Sequence, residues 1–244
     1  MDIKVSAQLY TVRDRLAENF ESMIDAIAKM GYSAVELAGE YGGKSPAELK
    51  EFLAARGLTV SGCHFTKSAL DEDFEKCLGI CKGVGAKYFI CCYNTYAGKD
   101  DYLSTAADFV KMSAAAEENG MEFCYHNHDF EFETYGGESG YDILIVNSKG
   151  IVTSELDVYW VAMAGLDPVE FINNHKDQIS VIHLKDMDAS DKSFAPVGTG
   201  TLNMAAIIRA GVDAGVECFV VEQDICKTDS LGCLKTSIDN IRVL

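Results

Sequence analysis

Basic residues are scarce in this chain of 244 residues, which carries 21 Lys and Arg against 38 Asp and Glu. The formal net charge at pH 7 is −17, and no basic run interrupts the acidic background. A surface this acidic repels the phosphate backbone of DNA and RNA. The composition therefore argues against a nucleic-acid partner.

Long apolar runs are missing as well. No stretch reaches the 18 or so consecutive apolar residues that indicate a membrane-spanning helix, although 48% of the residues are hydrophobic. The N-terminal residues lack the pattern of a secretory signal peptide. We therefore expect a cytoplasmic protein with a sizeable core and no membrane partner.

The nine cysteines include no C-x2-C pair, the spacing that is typical of zinc clusters. Their odd number and the missing secretion signal favour reduced thiols that pack in the core. A catalytic thiol is considered only for Cys63 and Cys124, because these two lie beside candidate site residues.

Short apolar runs alternate with longer amphipathic stretches along the whole chain. The runs predict eight strands, at residues 5–10, 34–38, 58–64, 88–92, 122–126, 151–156, 179–184 and 218–221. The amphipathic stretches predict helices at residues 16–30, 46–56, 73–85, 101–119, 140–146, 168–175, 202–214 and 230–242. Glycines that follow several of these helices supply the left-handed residue that ends a helix.

Strands that alternate with helices predict βαβ units and a parallel sheet. Eight such units without a linker, in a chain near the usual barrel length, predict one (β/α)8 TIM-barrel domain over residues 1–244. An open doubly wound sheet is the alternative. That fold usually has a glycine-rich turn after its first strand, and residues 11–14 here read Thr-Val-Arg-Asp.

Ionisable residues gather where the predicted strands end. Four of the five histidines do so, namely His64, His126, His128 and His183, and so do the carboxylates Glu36, Asp157 and Glu222. In a barrel, the carboxyl ends of all strands open into one mouth. Because buried ionisable groups are costly unless they are paired or coordinate something, this pattern indicates a functional site.

Side-chain alternation along a strand sharpens this prediction, since residues i and i+2 share a face. His126 and His128 share one face, as do the pairs 155/157, 183/185 and 222/224. Alternation thus brings four groups from consecutive strands around one point: His126, Asp157, His183 and Glu222. Mixed imidazole and carboxylate ligands suit a transition-metal ion better than Ca²⁺.

At these strand ends the chain resembles the xylose isomerase-like sugar isomerase/epimerase superfamily, which also contains endonuclease IV-type barrels. The resemblance rests on residues 123–132 (FCYHNHDFEF), 155–160 (ELDVYW), 181–186 (VIHLKD) and 221–224 (VEQD). Weaker matches are residues 32–38, 62–65 and 196–201. The ordered set of motifs is specific for the superfamily and leaves the substrate open.

The resemblance implies one divalent ion (Mn, Zn, Co, Fe or Mg) held by Glu, Asp, His and Glu from the last four strands. Asp157, His183 and Glu222 match three of these positions. His126 stands where the first Glu is expected. In the epimerases of the family the two glutamates act as acid and base on opposite faces of the substrate, and here Glu222 alone remains of that pair.

The chemistry implied by the resemblance is removal of a proton from the carbon next to a carbonyl, with a metal stabilising the negative charge. Glu222 is the expected base, and His64 or His128 the opposing acid or base. Lys185 would neutralise an anionic intermediate or bind a hydroxyl or phosphate group. Trp160 would stack against a sugar face.

Structural roles compete with these assignments. Lys185 could form an ion pair at the rim with Asp186 or Asp224, and Trp160 could pack beneath a loop. Glu36, a further candidate for substrate binding, could be a buried partner of a neighbouring backbone or lysine group.

Two loop features receive structural interpretations. Glu131 follows the fifth strand and is expected to be an exposed loop residue rather than a base. Residues 198–200 (Gly-Thr-Gly) precede a helix whose N-terminus could hold a phosphate, but a tight turn is favoured.

The leading functional hypothesis is an isomerase or epimerase of a free or phosphorylated sugar. A second hypothesis keeps the metal and ends in elimination, as in a keto-sugar or inosose dehydratase or a 3-keto-glycoside lyase. A DNA-repair nuclease is disfavoured by the acidic charge and the small ligand set, and a non-catalytic sugar-binding barrel is the fourth. The expected partner is a small carbohydrate, and by analogy with the family the chain could form a homo-oligomer.

Overall fold

The computed structural model of the protein describes residues 3–244, and Met1 and Asp2 of the expected 1–244 domain lie outside the described part. Eight parallel strands form a closed barrel, which confirms the expected (β/α)8 fold. Numbered along the chain, the barrel strands are β1 (Val5–Gln8), β2 (Ala34–Leu37), β3 (Thr59–Thr66), β4 (Tyr88–Tyr93), β5 (Glu122–His126), β6 (Thr153–Asp157), β7 (Ile179–Leu184) and β8 (Cys218–Val221).

Each strand pairs with the next strand along the chain, and β1 closes the ring by pairing with β8. The closing register sets Val5 opposite Phe219 and Ala7 opposite Val221. Because all eight strands run in the same direction, their carboxyl ends share one face of the barrel. This face carries the ionisable residues that the sequence singled out.

Helices surround the barrel and connect its strands. They are α1 (Arg13–Met30), α2 (Pro46–Ala54), α3 (Lys67–Glu72), α4 (Phe74–Val84), α5 (Lys99–Glu118), α6 (Gly140–Leu144), α7 (Val158–Met163), α8 (Pro168–Asn174), α9 (Met204–Asp213) and α10 (Ser230–Ile241). Local sequence sets their ends. Ser45 and Glu48 form a reciprocal capping box at α2, and Gly31 (φ 89°) ends α1 in the left-handed conformation.

Two hydrophobic clusters fill the molecule. The larger one lies between the strands and the helices, where outward-facing strand residues meet the buried stripes of the helices. The smaller one fills the barrel lumen and consists of Tyr88, Ile90, Cys124, Val181 and Val220. The inward-facing ionisable residues follow this apolar plug toward the carboxyl ends of the strands.

The first strand is shorter than predicted because Gln8 ends it. The side-chain oxygen of Gln8 accepts a hydrogen bond from the amide of Tyr10 at 3.0 Å, and residues Leu9–Val12 form a 3-10 turn instead of continuing the strand. Two short helices, α3 and α7, were not predicted. Each begins at a polar residue at a strand end, Thr66 and Asp157, whose side chain accepts the first free amides of the helix.

An irregularity in β3 changes the faces of its residues. Between Val35 and Leu37 of β2, the pairing register on β3 moves from Val60 to Cys63, so β3 contains one extra residue. Such a bulge re-aims the side chains that follow it. As a result His64 faces the lumen, whereas Cys63 packs in the outer cluster.

The nine cysteines are free thiols, as expected. Cys63, one of the two candidate catalytic thiols, packs in the outer cluster, because the bulge turns it toward the helices. Cys124 lies in the lumen plug, where burial raises the pKa of its thiol well above the ordinary value. Neither thiol is suited to nucleophilic catalysis. Within residues 3–244, no helix combines the length and the apolar character needed to span a membrane.

The loop after β7 is organised around the buried carboxylate of Asp186. Its two oxygens accept hydrogen bonds from four backbone amides, those of Met187, Gly198, Gly200 and Leu202, at 2.8–3.1 Å. Residues 198–200 therefore form the favoured tight turn, closed by the amide of Thr199 on the carbonyl of Pro196. The phosphate alternative fails because the Asp186 carboxylate already uses these amides.

We predict that Asp186→Ala lowers the free energy of unfolding by about 2–4 kcal/mol, because it leaves several buried amides without an acceptor. Chemical denaturation monitored by circular dichroism measures this loss. Asp191→Ala, an exposed aspartate of the same loop, is the control and should cost less than about 1 kcal/mol. Equal losses in the two variants would contradict the role assigned to Asp186.

Candidate metal centre and active site

Two cavities open at opposite ends of the barrel. One, of about 670 Å³, lies at the amino ends of the strands and is lined by residues such as Lys4, Ser61 and Glu217. The other, of about 650 Å³, lies at the carboxyl ends and contains His64, His126, His128, Lys185, Glu222 and Asp224. The ionisable groups that can do chemistry are concentrated in the second cavity.

Four side chains predicted to meet do come together at this end of the barrel. Their ligand atoms lie within 4.8 Å of one another, and all four residues are buried. We call this set the outer group; it consists of His126, Asp157, His183 and Glu222. His126 Nε2 lies 3.5 Å from Asp157 Oδ2, and His183 Nδ1 lies 3.0 Å from Glu222 Oε2.

The two oxygens of the Asp157 carboxylate have different surroundings. Oδ1 caps α7 by accepting the amides of Tyr159 (3.0 Å) and Trp160 (3.2 Å). Oδ2 is buried and belongs to the outer group. The ammonium of Lys185 lies 2.9 Å from it and His126 Nε2 lies 3.5 Å from it.

A second set of ligand atoms lies below the outer group. It consists of His64, His126, Glu155 and His183, again within 4.8 Å, and we call it the inner group. Glu155 Oε2 is 2.6 Å from His64 Nε2 and 3.0 Å from His126 Nδ1. Glu155 Oε1 is 3.2 Å from His183 Nε2. His126 and His183 thus belong to both groups and face them through opposite ring nitrogens.

Glu155 was not proposed as a site residue from the sequence. The signal was present, since Glu155 precedes Asp157 by two residues on β6 and therefore shares its face. Asp157 alone was selected from this pair as a site residue, because it lies nearer the strand end.

Glu36 lies beside the inner group. Its Oε2 atom is 2.8 Å from His183 Nε2 and 3.0 Å from His64 Nε2. The side-chain amide of Gln8 donates a hydrogen bond to the same oxygen of Glu36 at 2.7 Å.

Opposite charges stabilise one another in and beside the inner group. Burial alone would lower the pKa values of His64 and His183, but the carboxylates of Glu155 and Glu36 raise both well above the ordinary value. Burial and the negative charge of Glu36 would raise the pKa of Glu155, yet the adjacent imidazoles hold it at about 2. For His126, burial dominates and lowers the pKa well below its usual value.

Lys185 is the central cation of the outer region. Its ammonium lies 2.9 Å from Asp157 Oδ2, 2.7 Å from Glu222 Oε2 and 2.9 Å from Asp224 Oδ1. Burial would lower the pKa of Lys185, but these three carboxylates raise it well above the ordinary value. The rim ion pair with Asp224 is therefore present. The alternative pair with Asp186 is not seen, because loop amides use that carboxylate.

Two of the three carboxylates next to Lys185, those of Asp157 and Glu222, have pKa values that are shifted in opposite directions. Burial raises the pKa of Asp157 to about 6, although Lys185 lowers it. Burial would also raise the pKa of Glu222, but Lys185 and His183 hold it well below the ordinary value. Glu222 is therefore ionised at neutral pH and lies on the wall of the cavity.

The predicted substrate-contacting residues divide into two pairs. His64 and Lys185 line the cavity. Glu36 is fully buried, and Trp160 packs against His128 and Phe194. Aromatic residues that the sequence analysis did not select also line the cavity: Tyr10, Phe65 and Tyr93.

The expectation that Glu131 is exposed is wrong. Its side chain is completely buried, because the 3-10 turn Phe130–Phe132 folds it back beneath the loop. It accepts hydrogen bonds from the hydroxyl of Tyr125 and from the amide of His128, the latter at 2.7 Å. Burial raises the pKa of Glu131 to about 7.

His128 lies on the cavity wall above this buried carboxylate. Burial, helped by the positive charge of Lys185, lowers the pKa of His128 to about 4. Its imidazole is therefore neutral at pH 7 and has a lone pair that can accept a proton. The hydrogen bond from its backbone to Glu131 fixes the position of the loop that carries it.

The comparison with known proteins identifies the family. Residues 24–225 match the xylose isomerase-like TIM barrel family, and the chain belongs to it. It is 21% identical over 193 residues to inosose dehydratase of Clostridium beijerinckii, covering 70% of this chain. The chain spans 64% of the length of that relative.

Solved structures show the same fold. A sugar phosphate isomerase/epimerase from Parabacteroides distasonis superposes with a TM-score of 0.87 at 22% identity, over 99% of this chain and 94% of that one. The IolI protein, solved with a bound zinc atom, superposes with a TM-score of 0.77 at 16% identity, over 98% and 96% of the two chains. At these identities the similarity establishes the fold alone.

The buried carboxyl of Glu131 generates a prediction about pH. A carboxyl whose folded pKa is raised from 4.5 to about 7 binds its proton more tightly in the folded state. Its contribution to stability is complete below pH 4.5 and is lost as the pH rises through 7. Between pH 5 and pH 8, we expect the unfolding free energy of the wild type to fall by about 1–3 kcal/mol more than that of Glu131→Gln.

Urea denaturation of both proteins at several pH values measures this difference. Glu133→Gln is the matched control, because Glu133 lies in the same turn and is exposed. It should keep the pH dependence of the wild type. If Glu131→Gln also keeps it, Glu131 does not titrate as described.

Proposed function

We propose that the protein is a divalent-metal-dependent sugar isomerase or epimerase that removes a proton from the carbon next to a carbonyl. The observation that carries the proposal is the position of the Glu222 carboxylate, which lies on the wall of the cavity and 2.7 Å from the buried ammonium of Lys185. A base and a cation placed side by side suit proton abstraction, which creates a negative charge beside the base.

The outer group is the proposed metal site. His126, Asp157, His183 and Glu222 would hold the ion, and their two-imidazole, two-carboxylate donor set fits Mn, Zn, Co, Fe or Mg. When bound, such an ion polarises a carbonyl and stabilises negative charge on its oxygen. The zinc atom in the IolI protein supports a metal in this fold.

The protein groups around the cavity have complementary roles in this proposal. Glu222 takes the proton, since its low pKa keeps it ionised. Lys185 offsets the charge that develops on the substrate oxygen. His128 is neutral and can accept a proton, whereas His64 carries one that it can donate. These two histidines are the candidates for the second proton transfer.

The charges around the cavity favour an unphosphorylated sugar. Among the described residues that line it, Lys185 is the single lysine or arginine, and three carboxylates already surround it. The backbone amides of Gly198, Gly200 and Leu202 already donate hydrogen bonds to Asp186. The aromatic rings of Tyr10, Phe65 and Tyr93 supply apolar surface instead.

A metal-dependent keto-sugar or inosose dehydratase, or a 3-keto-glycoside lyase, is the second candidate. His126 replaces one of the two glutamates that the epimerase mechanism uses, so the paired base is missing. The protonated His64 on the same cavity wall can instead protonate a departing hydroxyl or alkoxyl group. The distant similarity to an inosose dehydratase supports this reading.

We predict that Glu222→Gln reduces proton exchange in ketoses by at least about 100-fold, because the amide cannot accept the proton. Incorporation of solvent deuterium next to the carbonyl of D-fructose and related ketoses, followed by NMR with manganese-loaded protein, measures the effect. Glu217→Gln, an exposed glutamate at the opposite end of the barrel, should leave exchange unchanged.

The product in the same assay separates the two candidate functions. Exchange with the sugar otherwise intact supports an isomerase or epimerase. A product that has lost water, or an aglycone when a 3-keto-glycoside is the substrate, supports elimination. If the Glu222→Gln variant exchanges the substrate proton at the wild-type rate, Glu222 is not the base.

The shortage of unpaired positive charge in the cavity predicts a preference for unphosphorylated substrates. Free ketoses should react with a kcat/KM at least about tenfold higher than their phosphate esters, because a phosphate dianion would enter a cavity whose single lysine, Lys185, is already paired with carboxylates. Parallel kinetics on D-fructose and its 6-phosphate provide the measurement. A preference for the ester would overturn the assignment of a neutral substrate.

A further inference from the structure

We propose that the inner group is a separate zinc site, formed by His64 Nε2, His126 Nδ1, His183 Nε2 and the carboxylate of Glu155. The outer group lies at the carboxyl ends of β5 to β8, whereas this position lies deeper in the barrel and adds a residue of β3. The inference goes beyond the proposed function, since it concerns a different set of ligand atoms.

The spacing of the donor atoms fits a tetrahedral ion. Zinc bonds of about 2.0–2.1 Å place neighbouring ligand atoms about 3.3 Å apart. The contacts of the Glu155 carboxylate to His64, His126 and His183 measure 2.6, 3.0 and 3.2 Å. Small outward shifts of these side chains would therefore open a site of the right size.

The donor chemistry distinguishes the inner group from the outer one. Three imidazoles and one carboxylate form a complete four-ligand set of the kind that zinc prefers. Glu155, His126 and His183 are almost completely buried, and the side chain of His64 is 8% exposed. A site with four protein ligands and little access to water is closed in the manner of a structural zinc site.

A buried carboxylate oxygen without a hydrogen bond lies in the inner group. Oε1 of Glu155 has no hydrogen-bond partner within residues 3–244, and it lies 3.2 Å from His183 Nε2. No lysine or arginine of the described chain forms an ion pair with Glu155. In the outer group, by contrast, the ammonium of Lys185 lies 2.7–2.9 Å from the oxygens that a metal would need. An ion in the inner group avoids that repulsion.

The inner and outer positions exclude each other. A neutral imidazole has one lone pair, so His126 and His183 can each bind a metal through one nitrogen and must carry a proton on the other. An ion in the inner group leaves His126 Nε2–H facing Asp157 and His183 Nδ1–H facing Glu222. The chain therefore binds one ion at a time. If the outer group is the catalytic metal site proposed above, zinc in the inner group inhibits the enzyme.

Zinc K-edge X-ray absorption on the metal-stripped full-length chain, reloaded with one equivalent of zinc, tests the proposal. The expected spectrum shows three imidazole ligands and one carboxylate. A spectrum with two imidazole ligands would indicate the outer group and would overturn the proposal. Failure of the chain to bind zinc would also overturn it. This measurement needs no variant and no assay of activity.

A matched pair of variants on β6 gives an independent test. Glu155→Gln removes an inner ligand, and Asp157→Asn removes an outer ligand two residues away. Competition with a chromophoric chelator should show zinc affinity at least about 100-fold weaker in Glu155→Gln and about tenfold weaker in Asp157→Asn, because Asp157 would only orient the ring of the ligand His126. The reverse order would overturn the inner site. His64→Gln should reduce the imidazole count from three to two if Glu155→Gln does not fold.

These outcomes are separable from those of the proposed function. If zinc is bound by two imidazoles and the manganese-loaded protein still exchanges substrate protons with solvent, the inner-site proposal is wrong and the isomerase proposal stands. If zinc is bound by three imidazoles and the protein catalyses no proton exchange in the substrate whichever metal is loaded, the inner-site proposal stands and the proposed function is wrong.

Discussion

The pairing of buried charges at the carboxyl end of the barrel is the constraint on which the site depends. The carboxylates of Glu36 and Glu155 face the imidazoles of His64 and His183, and three further carboxylates surround Lys185. Each of these groups alone would be expensive to bury, so removing one partner leaves the other uncompensated. The pairs join strand ends that are distant in the sequence and therefore hold the whole cavity wall in one arrangement.

The barrel makes this pairing obligatory. Ile90, Cys124, Val181 and Val220 fill the lumen directly behind the ionisable residues, which therefore depend on one another and on the side-chain amide of Gln8 for polar contacts. The closed ring of strands brings their ends close enough to meet. The same enclosure lets a buried ammonium or metal ion act strongly on a substrate, because charges interact more strongly where water is excluded.

The sequence predicted those parts of the site that depend on regular strands. The one register shift among β5 to β8 lies between Ser154 and Glu155 of β6, and the pairing from Glu155 to Asp157 is regular. Alternation in steps of two residues was therefore enough to predict that His126, Asp157, His183 and Glu222 meet. Two outcomes depended on irregular backbone. The bulge in β3 exchanges the faces of Cys63 and His64, and a 3-10 turn buries Glu131. Neither the bulge nor the turn produces a periodic pattern of apolar and polar residues by which the sequence could reveal it.

The histidine at position 126 is explained by its neighbour Glu155. A glutamate at 126, as the family resemblance implies, would place another carboxylate near Glu155, which already lies close to Glu36. Adjacent carboxylates cannot all remain ionised in a buried site, and one of them would have to take up a proton. A neutral imidazole instead donates to Glu155 through Nδ1 and keeps Nε2 for the outer group. His126 therefore connects the two groups, and the protonated nitrogen of its ring decides which of them can receive a cation.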